Sequence, residues 1–133
     1  MNIPIRSRKL EKIWWYRGYK CAIVLSRTIL GNWRCGYVRV TRFHTSFEDD
    51  YQIMPKTSIH EGLTDSGYCL PECKMSLWNR FINWFECKIK FSWWFGFDCA
   101  HAVDELDPKD IDFCVTQCEG LVDDLILMQK GEL

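Results

Sequence analysis

The residues with the greatest chemical reach are His60 and the run Asp98-Cys99-Ala100-His101, with Asp104 close behind. If a strand runs through position 101, Cys99 and His101 share one face and Asp98 lies on the other. Two side chains two apart on a strand face can converge on one ligand, and a histidine from a neighbouring strand could complete the group. His60, Asp98, His101 and Asp104 are therefore the candidate ligand-binding set. Zinc accepts histidine and aspartate ligands in a tetrahedral array. The plainer alternative is a hydrogen-bonded buried His101, with Asp98 and Asp104 organising a turn. A Cys99 nucleophile with His60 or His101 as base needs a partly exposed thiol of depressed pKa. Cys99 instead continues a run of large aromatics, which predicts an inert, buried thiol. The sequence carries no glycine-rich phosphate loop, no G-x-S-x-G and no H-E-x-x-H. The expectation leans away from an enzyme, with no catalytic residue, no metal and no cofactor assigned.

A second set of residues suggests binding. Trp14 and Trp15 lie near Arg17, and Trp33 lies beside Arg34, so stacking platforms adjoin cations able to pair with phosphate or carboxylate. These five are the candidate partner-binding residues. The alternative is that one member of each pair is core and the other covers it. Seven Trp in 133 residues exceed what so small a core needs, and aromatics are enriched at interfaces.

The positioning elements follow from periodicity. Asp107-Pro108 reads as an N-cap and first helical position, and Ile111, Val115, Cys118, Val122, Leu125 and Met128 recur at helical spacing before Gly131. A helix is expected over 108–130, with Asp112, Glu119, Asp123 and Asp124 on a solvated face. Residues 88–99 alternate: Ile89, Phe91, Trp93, Phe95, Phe97 and Cys99 on one side, Lys88, Lys90, Ser92, Trp94, Gly96 and Asp98 on the other. That predicts a strand with one buried face. Leu77, Trp78, Phe81, Ile82 and Phe85 fit a short amphipathic helix capped by Ser76. Tyr19–Arg27 and Trp33–Phe43 read as a hairpin around a Gly31-Asn32 turn, Thr57–His60 as a further strand, and Gly62–Gly67 as a turn-rich segment. Strands precede helices without β-α alternation, so the expected class is α+β. The expected architecture is an antiparallel sheet of about four to five strands. A C-terminal α-helix packs across it, and a short aromatic helix precedes the last strand.

Length bounds this to a single domain over 1–133, in which residues 1–16 could be an amino-terminal extension. A composition of 47% hydrophobic and 15% aromatic residues excludes a disordered chain. The net charge of −1 hides a polarity. Arg6, Arg8, Lys9, Lys12, Arg17, Lys20, Arg27, Arg34, Arg39 and Arg42 face only Glu11 in the first third, while acids dominate after Asp98. The basic half either packs beside the acidic half or offers a partner-binding face. It is too diffuse for a strong nucleic-acid signal. No secretory signal or membrane span is read, because Arg80, Glu86, Lys88 and Lys90 interrupt Leu77–Phe97. The expectation is the cytosol, with the eight cysteines mostly reduced. Cys69/Cys73 and Cys114/Cys118 are C-x-x-x-C pairs rather than zinc knuckles, the second suited to core packing on a helix.

Six stretches in order carry a resemblance. They are Gly18-Tyr19-Lys20-Cys21, Cys35-Gly36-Tyr37-Val38, Asp50-Tyr51-Gln52-Ile53, and His60-Glu61-Gly62-Leu63-Thr64-Asp65-Ser66-Gly67. Then come Trp93-Trp94-Phe95-Gly96-Phe97-Asp98-Cys99-Ala100-His101-Ala102-Val103-Asp104 and Val115-Thr116-Gln117-Cys118-Glu119. The chain resembles a family of small phage-encoded proteins of unassigned function. That family's pattern includes H-G-G-L-T-Y-S-G and W-W-I-G-F-D-C-A-H-A-G-D. Glu61, Asp65 and Val103 depart from it, replacing two glycines and an aromatic, which implies a remodelled site. Such a resemblance implies a cytosolic accessory protein that inhibits a host defence protein by stoichiometric binding. The alternatives are a sponge for a nucleotide signal and a small metal- or Cys/His-dependent hydrolase. The expected partners are a host protein, a nucleotide ligand in the second case, no membrane, and an association of copies as a further option.

Overall fold

The computed structural model describes residues 5–29, 31–55, 62–102 and 108–132, with the backbone alone at 5–6, 99–102 and 108–110. Five strands form one antiparallel sheet: β1 (Ile5–Tyr16), β2 (Tyr19–Thr28), β3 (Gly31–Thr41), β4 (Asp65–Gly67) and β5 (Ser92–Ala102). Their spatial order is β1-β2-β3-β5-β4. Two helices complete the domain, α1 (Leu77–Lys88) before β5 and α2 (Pro108–Gln129) after it. The α+β class, the strand number and both helix positions are those expected.

Residues 5–16 are integrated as edge strand β1, paired along their length with β2. The β1–β2 turn uses Arg17 and Gly18, both at positive φ, between paired Tyr16 and Tyr19. Two consecutive left-handed residues give a two-residue loop the twist that antiparallel strands need. The expected Gly31-Asn32 turn is displaced: both residues lie in β3, paired with Thr28 and Arg27. Part of the expected turn at 62–67 is strand β4, lying along β5. The proposed strand Thr57–His60 lies outside the described residues.

Alternation sends the sheet's side chains into two cores. Cys21, Ile23, Val38, Val40, Phe95 and Phe97 face α2 and pack on its Cys114, Cys118, Leu121, Val122 and Leu125. Ala22, Val24, Tyr37 and Trp94 face the other way and are covered by Leu70 and Cys73. The expectation of one buried face on the last strand is thus corrected, since Ser92 and Trp94 are buried as fully as Phe95. The loop before α1 supplies a roof that periodicity within β5 could not reveal. Gly36 marks a tight approach: a Cβ there would stand 2.5 Å from Phe97 Cζ and 2.8 Å from Cys118 Sγ.

Helix α2 ends as expected, with Gly131 at positive φ and Glu132 N donating to Leu127 O. Its acidic side is not merely solvated. Trp14 Nε1 donates to Glu119 at 3.3 Å, and Arg17 pairs with Asp123 at 2.8 Å. The charge polarity of the chain is in part satisfied within the domain.

Cysteine chemistry also departs from expectation. Cys69 is bonded to Cys87, 18 residues on, which ties the loop before α1 to its last turn. Cys114 is disulfide-bonded as well. Cys21, Cys35, Cys73 and Cys118 carry free thiols. Closing a loop of this length removes unfolded-state entropy equivalent to about 3 kcal/mol. The double change Cys69→Ala/Cys87→Ala is expected to lower the unfolding free energy by about that amount. Urea unfolding of the variant against the oxidised parent measures it.

Candidate functional site

The first candidate set is not assembled by the described residues. His60 and Asp104 lie outside them. His101 stands in β5 opposite Trp33, with only its backbone described. Asp98 is exposed on the same strand and accepts a weak hydrogen bond from Cys35 Sγ at 3.4 Å. Burial first, and then the Asp98 charge, push the Cys35 thiol up to about 12. Burial likewise pushes Cys21 up to about 12. Thiols held protonated in this way are poor nucleophiles. Among the described residues no group of three or more His, Cys, Asp or Glu side chains could hold a metal ion. The Cys99 side chain lies outside the description.

The second set is scattered by role. Arg34 is buried and holds Glu11 through Nε at 2.7 Å. Arg17 is held by Asp123, and Trp14 is half-buried against the α2 core with Lys12 over its ring. Trp33 is half-buried in β3. Trp15 is the one exposed tryptophan of the set, its ring beneath the Arg39 guanidinium at 5.1 Å.

Trp15 leads to a surface whose residues the sequence names but misdirects. The amphipathic pattern of α1 would ordinarily bury its apolar side. It does the reverse. Leu77 (81%), Trp78 (69%), Phe81 (53%), Trp84 (58%) and Phe85 (46%) are all exposed. They recur at spacings of three and four and so form one continuous stripe. Phe81 lies 6.3 Å from each of Trp78, Trp84 and Phe85, ring centre to ring centre.

The inward side of α1 is mostly polar, with Ile82 the half-buried apolar residue on it. Asn83 Oδ1 accepts from Leu70 N, and Glu86 accepts from Arg39 Nη1 and Ser92 Oγ, both at 2.7 Å. Cys87 is fixed by its disulfide. Ser76 caps the start as expected, its side chain accepting from Asn79 N. Polar and covalent ties thus hold the helix while its aromatic stripe faces out. No protein-family model, curated protein or solved structure matches this chain. The assignment of this surface therefore rests on its own chemistry.

The stripe has a cationic border. Arg80 lines the same groove as Trp84, Lys88 is exposed in the last turn of α1, and Arg42 stands over the Phe91 ring at 5.3 Å. Next to that ring lies Phe43, 78% exposed, in an edge contact with Phe91. The single acid of α1, Glu86, is neutralised by Arg39. Among the described residues no helix is long and apolar enough to cross a membrane.

One buried histidine escaped the sequence reading. His44 Nε2 faces Leu125 O at 3.0 Å, while Nδ1 accepts from Ser46 N at 2.9 Å. An accepting Nδ1 assigns the proton to Nε2, so the ring is neutral and both nitrogens are satisfied. Burial holds its pKa below the usual value, outweighing the Leu125 carbonyl and Asp49. With the folded-state value depressed, stability is complete above the unfolded value of about 6.5 and falls as pH drops through the folded one. Urea midpoints are expected to decline below about pH 6.5, and His44→Gln to flatten that decline.

Proposed function

We propose that this protein acts by stoichiometric binding, seating the outward aromatic stripe of α1 in an apolar groove of a host protein and so blocking it. The inverted helix is the observation that carries this reading. Contiguous exposed apolar surface is uncommon on monomeric proteins and usually marks an interaction site. Trp and Phe at its centre with Arg at its border match the composition of interface hot spots. The cationic border selects a partner groove rimmed by acids, which would speed encounter and fix orientation. The resemblance to phage-encoded accessory proteins supports a host defence protein as the target and the host cytosol as the place of action. In that reducing compartment the Cys69–Cys87 bond would be open to reduction, so binding is measured with and without reductant.

The test captures partners from host lysate on the tagged protein, purifies the captured species, and titrates its activity. Loss of activity at a one-to-one ratio, abolished by Trp78→Gln/Phe81→Gln, bears the proposal out. Capture insensitive to those changes would overturn it. So would a native mass showing that α1 pairs with α1 of a second copy, because the stripe would then be covered.

A further inference from the structure

A second feature lies on the flank of α1, against the free edge of β1. Residues 73–75 run along that edge: Leu10 N donates to Lys74 O and Lys74 N to Arg8 O, both at 2.8 Å. Between this segment and α1 is a groove of about 570 Å³. That volume is within the range of roughly 300–1,000 Å³ typical of small-molecule sites. Leu70, Cys73 and Met75 provide an apolar floor, and the Cys69–Cys87 bond closes one side. Trp84 stands at the rim with over half its surface free.

Three cations line the groove, Arg8, Lys74 and Arg80, against one acid, Glu72. Their pairing sets them apart. Arg17, Arg34 and Arg39 each hold a carboxylate. Among the described residues Arg8, Lys74 and Arg80 form no ion pair. Burial pushes the Cys73 thiol up, while Arg8 and Arg80, both lining the same groove, pull it down. Two guanidinium groups beside an apolar floor, neither of them paired with a carboxylate, make a place where an anion lowers the energy. Guanidinium forks match phosphate oxygens, and an adjoining indole offers a face for a planar ring. An acidic peptide would use the cations but leave the indole idle.

We propose that the groove between residues 69–75 and α1 binds a nucleoside phosphate, with Arg8, Arg80 and Lys74 on the phosphates and Trp84 against the base. None of its lining residues belongs to the candidate set His60, Asp98, His101 and Asp104. It goes beyond the blocking role of the aromatic stripe; Trp84 belongs to both, and Arg80 beside the stripe also lines the groove. Trp78 and Phe81 test the stripe, whereas Arg8 and Arg80 test the groove, so either reading can fail alone.

The experiment is isothermal titration calorimetry of the full oxidised chain with ADP, pyrophosphate and adenosine, at low and at physiological salt. ADP is expected to bind more tightly than either fragment, and more weakly as salt rises. Arg80→Gln and Arg8→Gln should each weaken ADP about tenfold, as loss of a charge-assisted hydrogen bond predicts. Trp84→Leu should weaken ADP but leave pyrophosphate unchanged, and Arg27→Gln, at an exposed position of β2, should change nothing. If Arg8→Gln fails to fold, the exposed Arg80 and Trp84 variants decide the matter. No heat or retained ligand at millimolar ADP overturns the proposal, as does equal affinity for ADP and pyrophosphate. A single-stranded oligonucleotide that binds and is displaced by ADP supports the same site, whereas one that ADP cannot displace counts against it.

Discussion

Trp78→Gln/Phe81→Gln is expected to weaken binding of the blocked host protein by at least about 100-fold while leaving the fold intact. Central aromatic anchors commonly cost about 2 kcal/mol or more each when truncated. The two rings touch, so their contributions will not add fully, and the combined loss should fall short of the product of the single losses. The fold should hardly respond, because neither ring is buried and surface changes usually move stability by no more than about 0.5 kcal/mol. Glutamine keeps good helix propensity, so α1 is not itself melted. Affinity by calorimetry and unfolding by urea, on the same preparations, separate the two effects. Parallel loss of stability and affinity would mean that the stripe supports the fold rather than a partner.

Arg39→Met is expected to cost about 3 kcal/mol of stability, the second large effect. Arg39 is buried in β3 and pairs with Glu86 at 2.7 Å, and its guanidinium lies over Trp15 and Phe91. Burial works against ionisation of Glu86, but hydrogen bonds from Ser92 and Arg39 outweigh it and hold its carboxyl below the usual range. Removing Arg39 alone leaves that carboxylate half-buried with Ser92 as its remaining hydrogen-bond donor. The double change Arg39→Met/Glu86→Leu should regain most of the loss, since paired replacement by apolar groups is often near neutral. A double-mutant cycle of urea unfolding reads the coupling. Independent effects at the two positions would show that the pair does not hold α1 to the sheet.

Much of the architecture was legible because it is local. The spacing of Cys118, Val122 and Leu125 and the Asp107-Pro108 start specify α2. Strict alternation specifies β5, and Ser76 before an aromatic run specifies α1. Turn chemistry was less readable. Arg17, a non-glycine residue, adopts the left-handed conformation and is held by Asp123 from the far end of the chain. The oxidation of Cys69 was illegible for the same reason, since nothing in a C-x-x-x-C spacing points to Cys87.

Periodicity established that α1 has an aromatic side, and the topology decided which way that side faces. An amphipathic pattern records two unlike faces but not which one meets the sheet. Glu86 of α1 meets Arg39 of β3, and that tie goes with Trp78 and Phe81 facing outward. The groove arises similarly, from Arg8 and Arg80, 72 positions apart in sequence, brought to one floor. Helices and strands follow from neighbours along the chain. A binding surface depends on which distant residues meet, and only the folded sheet decides that.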